Sequence, residues 1–169
     1  MSTYFSKFRV QWADIDANRH MGNSAYMQYT AEARMRFMEQ HRIGLKELNR
    51  WGVGPAILHE RFSFFREIHY GQEFFVSVEI GGFSEDGAVY RFFQRFFLLD
   101  GTHIATGEAT GVWIDLMLRK STTPPDDILD VMRKYRSENC VVMSREDIKD
   151  LPFQPENVDA EILAGGLEN

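Results

Sequence analysis

The sequence predicts an α+β domain in which one long buried helix is cradled by a single curled antiparallel sheet. Three observations predict it. From 23 to about 41 no Gly or Pro interrupts the chain, and apolar residues recur at helical spacing. Four runs of strand character follow, near 56–65, 73–81, 88–99 and 103–116, separated by turn signals. In the last run Ala105, Gly107, Ala109 and Gly111 share one face, leaving a trough into which a helix backbone can sink.

The chain opens with a strand over about 4–12, where Phe8, Val10 and Trp12 alternate with Lys7, Arg9 and Gln11, and this strand delivers Asp14 and Asp16 to a loop. In the long helix Tyr26, Thr30, Ala33 and Phe37 form one apolar row and Met27, Ala31, Met35 and Met38 a second, so burial is expected over most of its circumference. Gln28, Glu32, Arg36 and Glu39 make the remaining polar stripe, with Glu32 and Arg36 at favourable i,i+4 spacing. Asn23 or Ser24 is expected to cap the helix, without the Glu or Gln that completes a capping box. A short helix over 45–51 leads into the Gly52-Val53-Gly54-Pro55 punctuation. The strand over 73–81 places Phe74, Val76, Val78 and Ile80 on one face. Glu85-Asp86-Gly87 and Asp100-Gly101 mark turns, the second as a two-residue hairpin. Pro124-Pro125 introduces a closing helix over 126–136, so the domain spans 1–136 and leaves 137–169 as an acidic arm or tail.

At 169 residues the chain can bury one core without disulfides or structural metal. The net charge is −6, and 144–169 alone holds seven acidic and two basic residues, so the remainder is nearly neutral. Without a basic field nucleic acid is not an expected partner, and a polyanion must be met by local clusters such as Arg119-Lys120. The single Cys140 excludes an intrachain disulfide, and no signal-peptide run or membrane span is seen, so the cytoplasm is expected and a membrane is not. Fourteen Phe exceed what one small core uses, which suggests a shared interface or an apolar tunnel. His20, His41, His59, His69 and His103 lack metal-site spacing, and no Gly-x-Ser-x-Gly elbow, P-loop or Gly-x-Gly-x-x-Gly occurs, so neither metal nor cofactor is expected.

The chemistry concentrates in the run from Asp14 to Arg34, where a carboxylate-rich loop opens onto the helix. A helix start offers unpaired N–H groups and the positive end of a dipole, and Asp16 stands seven residues ahead of Asn23. Backbone N–H groups at Asn23, Ser24 and Ala25 are the expected donors to an oxyanion, and Asp16 either attacks a carbonyl carbon or deprotonates water.

This run resembles acyl-CoA and acyl-carrier-protein thioesterases of the hotdog fold, including the 4-hydroxybenzoyl-CoA thioesterase group. These carry an Asp-x-Asp strand end, a His-hydrophobic-Asn-Asn turn, a Tyr and a Glu-x-Ala-Arg-like helix. The resemblance extends over about 5–128, including the 66–72 turn, Ala105-x-Gly107 and Asp115, and does not cover the tail. It implies a sheet of order 1-3-4-5-2, a homodimer or dimer of dimers joined through sheet edges, and an acyl-CoA substrate with no cofactor. The catalytic carboxylate maps onto Asp16, with His20 and Asn23 in supporting positions. The chain departs at Gly22, where the family pattern has its first Asn.

His20 is expected to orient Asp16, the water or the substrate. Glu32 and His59 are the alternative acid or base residues, Glu32 because a related branch uses a helix-borne acid. Arg66, Arg119 and Lys120 are the expected contacts to CoA phosphates. The expected activity is hydrolysis of an acyl-CoA thioester to free acid and CoA. The alternative is a non-catalytic acyl-CoA binding or sensing protein on the same fold. The sequence leaves open the acyl chain, CoA or carrier protein, and the role of the tail.

Overall fold

The structure is a computed structural model that describes residues 2–158 and 160 of the 169. It contains strand β1 (Tyr4–Arg9), helix α1 (Asn23–Gln40), helix α2 (Leu45–Trp51), strands β2 (Val53–Phe64), β3 (Glu73–Ser84), β4 (Val89–Leu98) and β5 (His103–Asp115), helix α3 (Asp126–Lys134), strand β6 (Arg136–Met143) and the single turn α4 (Glu146–Lys149). The main path of the sheet runs β1-β3-β4-β5-β2, the expected order, with every neighbouring pair antiparallel.

The sheet curls because its concave face must enclose α1. Phe74, Val76, Val78 and Ile80 of β3 are 0–1% exposed and form the floor. Onto them α1 lowers Tyr26, Thr30, Ala33 and Phe37, each at most 3% exposed. At the far end of α1 the Phe37 and Tyr135 rings meet edge to face at 4.9 Å, and Ile128, Leu129 and Met132 of α3 close that side. The N-terminal end of α1 is left to the loop that follows β1.

Several expectations are corrected. The second apolar row of α1 is not buried throughout: Met27 is 49% exposed, Ala31 is exposed and Met35 half-buried, because the sheet wraps only one side of the helix. The helix is capped by the backbone of Gly22, with no side-chain cap, and Asn23 and Ser24 already belong to its first turn. Met21 and Tyr26, 2% and 3% exposed, occupy the two positions of a hydrophobic staple, which sets the entry angle of the chain in place of a polar cap. Four residues, not two, join β4 to β5, with Gly101 at φ 84° and the Asp100 carboxylate accepting the Thr102 N–H at 2.9 Å.

The small face of β5 serves two purposes. A Cβ on Gly107 would lie 2.7 Å from the Phe62 ring, so this glycine admits that ring, with Thr30 Cγ2 of the helix at ordinary contact distance, 3.4 Å. At Gly111 the space is filled instead by the Ala56 carbonyl and the Tyr90 hydroxyl, 2.3 Å and 2.8 Å from such a Cβ. A register shift between Ile57 and His59 of β2 accompanies that approach.

The segment after 136 begins with β6, which pairs in parallel with the Ile80–Ser84 half of β3, while β1 occupies the Glu73–Val78 half of the same edge. No strand was expected there.

Because the Ala56 carbonyl cannot retreat without breaking the β2–β5 ladder, Gly111→Ala is expected to destabilise the fold by about 2–3 kcal/mol. Urea denaturation of the variant against the parent chain measures this directly.

Candidate active site

The loop between β1 and α1 is held by backbone bonds before any side chain acts. Val10 N–H donates to Gln72 O at 2.9 Å, Met21 N–H to Ile68 O at 2.8 Å, and Gly22 N–H to Asp14 O at 2.8 Å. The two aspartates then divide. Asp14 Oδ2 accepts the Gln11 N–H at 2.7 Å and lies 2.5 Å from the Tyr29 hydroxyl, so it ties the loop to the middle of α1. Burial, with the adjacent Asp14 carboxylate, holds the Tyr29 phenol well above its ordinary range, which keeps it a donor.

Asp16 faces outward. Its backbone N–H donates to His20 O at 3.0 Å, and its Oδ1 accepts the Asn18 N–H at 2.8 Å, leaving Oδ2 uncommitted among the described residues. His20 sits between two carboxylates, with Nδ1 3.9 Å from Asp16 Oδ1 and Nε2 4.0 Å from Glu67 Oε1. Both separations exceed a hydrogen bond; Nδ1 lies 3.4 Å from Met21 O, and Nε2 has no hydrogen-bond partner among the described residues, so an approaching water or substrate meets the imidazole at Nε2 without first breaking a direct bond.

Gly22 explains the departure from the family pattern. A Cβ there would stand 3.3 Å from Asp16 Cβ and 3.7 Å from Asp16 Oδ2. The loop folds Asp16 over position 22, where a side chain would stand tight against the Asp16 Cβ and in contact with its carboxylate.

Behind Asp16 the first turn of α1 is less open than expected. Ala25 N–H donates to Gly22 O at 3.0 Å, so it is spent on the helix, and Ser24 N–H is covered by Asn23 Oδ1 at 3.0 Å. The Asn23 N–H has no acceptor among the described residues. Of the three predicted oxyanion donors, Asn23 remains available, Ser24 becomes so only if the Asn23 side chain turns, and Ala25 is corrected to a structural bond.

Asp16, His20 and Asn23 line one cleft of about 570 Å³ together with Asn18, Met21, Tyr26, Phe64, Phe65, Arg66 and Glu67. The volume suits a small ligand. A larger groove of about 720 Å³ lies beside β6, but it lacks this group of carboxylate, imidazole and helix start. Arg66, at the end of β2, is thus brought to the catalytic candidates.

Other predicted residues lie elsewhere. Arg119 and Lys120 sit in an exposed turn after β5, where Arg119 takes φ 54°. Val53 is opposite Asp115 and Phe64 opposite Ala105, so this turn and Arg66 are at opposite ends of one ladder. Eleven strand steps separate them by about 36 Å. Glu32 pairs with Arg36, both about half exposed, on the side of α1 away from the cleft. His59 lies beside the β2 irregularity and does not line the cleft. Its neighbour Glu60 turns inward instead, with Oε1 2.9 Å from Arg34 Nη1, which also donates to Gln94 Oε1 at 2.9 Å.

The lining residues that the sequence does not assign to the site are Asn18, Met21, Tyr26, Phe64, Phe65 and Glu67. Glu67 adjoins Arg66 in the flagged 66–72 turn. Tyr26 stands in the apolar row of α1 and follows the 20–23 turn, where the family pattern has its Tyr, and neither signal gives its hydroxyl a role.

A curled sheet around one helix, with an Asp–His loop at the helix start, defines a hotdog fold of the thioesterase kind. The family model described as the thioesterase-like superfamily matches residues 10–132. The chain belongs to that superfamily. Among curated proteins none matches the sequence. Solved structures do. A 1,4-dihydroxy-2-naphthoyl-CoA thioesterase from Synechocystis is 18% identical with a TM-score of 0.70, covering 78% of this chain and 96% of its own. A hypothetical protein from Staphylococcus aureus, solved in complex with CoA, is 21% identical with a TM-score of 0.73 and covers 92% and 96%. A gentisyl-coenzyme A thioesterase is 19% identical with a TM-score of 0.68 and covers 76% and 99%. At these identities the likeness is one of fold.

Asp14 anchors the loop through charge-assisted bonds, so Asp14→Ala is expected to cost about 2–3 kcal/mol and lower Tm by roughly 5–10 °C. Asp16→Ala, which removes an outward carboxylate, is expected to leave Tm within about 2 °C by the same scale. Thermal unfolding followed by circular dichroism separates the two.

Proposed function

We propose that the protein hydrolyses an acyl-CoA thioester to a carboxylic acid and CoA, with Asp16 as the reacting carboxylate. One observation carries the reading: the uncommitted oxygen of Asp16 stands at the N-terminus of an 18-residue helix, in a cleft with His20 and Arg66. The Asn23 N–H and the positive end of the helix dipole then favour negative charge on the carbonyl oxygen. Asp16 either attacks the carbonyl carbon, giving an anhydride that water opens, or takes a proton from the water that attacks. In both routes the C–S bond breaks and CoA departs as a thiolate, which needs no strong general acid. His20, within 4 Å of Asp16, orients the water or the carboxylate.

The substrate's CoA end is supported by the superfamily and by the Staphylococcus aureus neighbour that holds CoA. At the acyl end, Met21, Phe64 and Phe65 make an apolar lining. Among the described residues no helix is long and apolar enough to cross a membrane. We assign the chain to the cytoplasm on the location of its proposed substrate.

Asp16→Asn preserves shape and removes the charge. It is expected to lower turnover at least about 100-fold with an unchanged Tm. Thiol release from a panel of aryl-, short-, medium- and long-chain acyl-CoAs reports it, and activity within a few-fold of wild type would return Glu32 or His59 to consideration. CoA-thioester binding without thiol release from any member would favour the non-catalytic alternative.

We further propose that the working unit is a two-fold dimer, or a dimer of dimers, formed by β2 edges. The main-path edge strand β2 and its surroundings expose Ile57, Leu58, Phe64, Phe65 and Met27, at 36%, 47%, 50%, 56% and 49%. An unpaired edge with these side chains is a surface that proteins cover. Antiparallel self-pairing of β2 about its middle would bring the start of one β2, and with it the turn of the partner's Arg119 and the partner's Lys120, to the other's Arg66. The 36 Å separation within one chain then becomes proximity across the dimer.

Arg119→Ala is accordingly expected to raise KM for acyl-CoA about 10-fold and leave kcat nearly unchanged, since phosphate contacts bind substrate and transition state alike. Mixed with Asp16→Asn protomers, it should regain wild-type KM at one site per heterodimer. Failure to complement, or a fully active species at the chain mass of 19.7 kDa by light scattering, would remove the shared site.

A further inference from the structure

The oxyanion site assembled above has one free backbone donor, and a second polar hydrogen faces the same cleft. Tyr26 lines it, yet is only 3% exposed. Its ring is clamped edge-on by Phe64 of β2 at 4.9 Å and tilted against Phe96 of β4 at 5.0 Å. Its hydroxyl has no hydrogen-bond partner among the described residues, in contrast to Tyr29, which reaches Asp14 and Arg9 O. The oxygen itself is not among the sealed, unsatisfied polar atoms of the described residues, so it opens on the cleft and is free to donate to a ligand oxygen there.

The helix dictates where that phenol points. Tyr26 lies one turn beyond Asn23, and aromatic side chains in a helix lean back over the turn N-terminal to their own Cα. Its ring therefore extends toward the helix start, where Ala25 N–H is spent and Ser24 N–H is covered. Burial pushes the phenol up to about 12, so it stays protonated, and a donor, throughout the range in which thioesters are hydrolysed enzymatically.

We propose that the Tyr26 hydroxyl is the second donor to the thioester carbonyl oxygen, completing with the Asn23 N–H the oxyanion site of this chain. The proposal rests on the reading of the cleft as a thioesterase site. Tyr26 makes a hydrogen bond that shortens as charge builds on the carbonyl oxygen. The phenol keeps its proton throughout, so it takes part in neither the proton transfer from water nor the departure of CoA. This donor contributes to kcat, whereas a contact to the acyl group or to CoA would act on KM as well.

Tyr26→Phe preserves the ring and its two aromatic contacts while deleting the hydroxyl. Thiol release is measured for wild type and variant with butyryl-CoA, benzoyl-CoA and beta-hydroxybutyryl-CoA, with Tm as the control. The expected result is a fall in kcat of about 100-fold on all three, with KM within about 3-fold. A kcat within about 3-fold of wild type, or a rise in KM at constant kcat, overturns the proposal. So does a loss confined to beta-hydroxybutyryl-CoA, which would make the phenol a reader of the acyl group. If the variant does not fold, meta-fluorotyrosine at position 26 retains the hydroxyl and makes it a stronger donor: a shifted kcat at constant KM supports the role and an unchanged kcat rejects it. A wild-type chain that releases thiol from none of the three is taken through the medium- and long-chain acyl-CoAs as well, and release from no member of that panel refutes the thioesterase reading itself, and this role with it.

Discussion

The seating of the Tyr26, Thr30, Ala33 and Phe37 row of α1 in the concave sheet is the contact on which the rest of the structure depends. It fixes the curl, because β3 must present its apolar floor to a cylinder and β5 must give up side-chain bulk at Gly107, where a Cβ would meet the Phe62 ring at 2.7 Å. It also fixes polarity. With Phe37 covered by Tyr135 of the closing segment and the 41–44 loop folded back on the C-terminal end of α1, the loop after β1 crosses the N-terminal end, where the Asn23 N–H is left without an acceptor among the described residues. The reactive carboxylate proposed here owes its setting to that asymmetry rather than to an unusual environment of its own.

Two aspartates separated by one residue illustrate how little sequence distance is needed to divide labour. Asp14 turns toward the Tyr29 hydroxyl and a backbone N–H, and becomes part of the frame. Asp16 keeps only the Asn18 N–H for one oxygen and leaves the other facing the cleft. Because Ile15 forms a bridge with Met21 between them, the chain turns one carboxylate inward and the other outward. A substitution that exchanged their surroundings would exchange their roles, whatever their identities.

What the sequence makes legible is whatever depends on periodicity or on contiguous residues. The helix over 23–40, the short helix over 45–51 and the buried face of β3 can be read this way, and the strand order follows from the family pattern. Properties set by partners distant in the chain are not legible. The exposure of Met27 depends on how far the sheet wraps, and the loss of the Ala25 N–H depends on the backbone cap at Gly22. Strand β6 escapes notice because a half-covered strand with the burial pattern of 136–143 lacks clean alternation. The phenol of Tyr26 escapes for a different reason: a row of apolar positions along a helix says which face is buried, and nothing about whether a hydroxyl on that face finds a partner. The acyl group belongs to the same class of question.

The sharing of one β3 edge between β1 and β6 bears on how the chain is made. A ribosome delivers β1 first and β3 some seventy residues later, so half of that edge can be covered early. The other half stays open until 136–143 has emerged, more than fifty residues after the strand it must join, and parallel pairing over such a span closes slowly. During that interval Ile80 to Ser84 present an uncovered, apolar template to other nascent chains. The C-terminal arm therefore acts as a timed guard on the sheet, and shortening it before Met143 would threaten yield during synthesis more than the chemistry of the finished molecule.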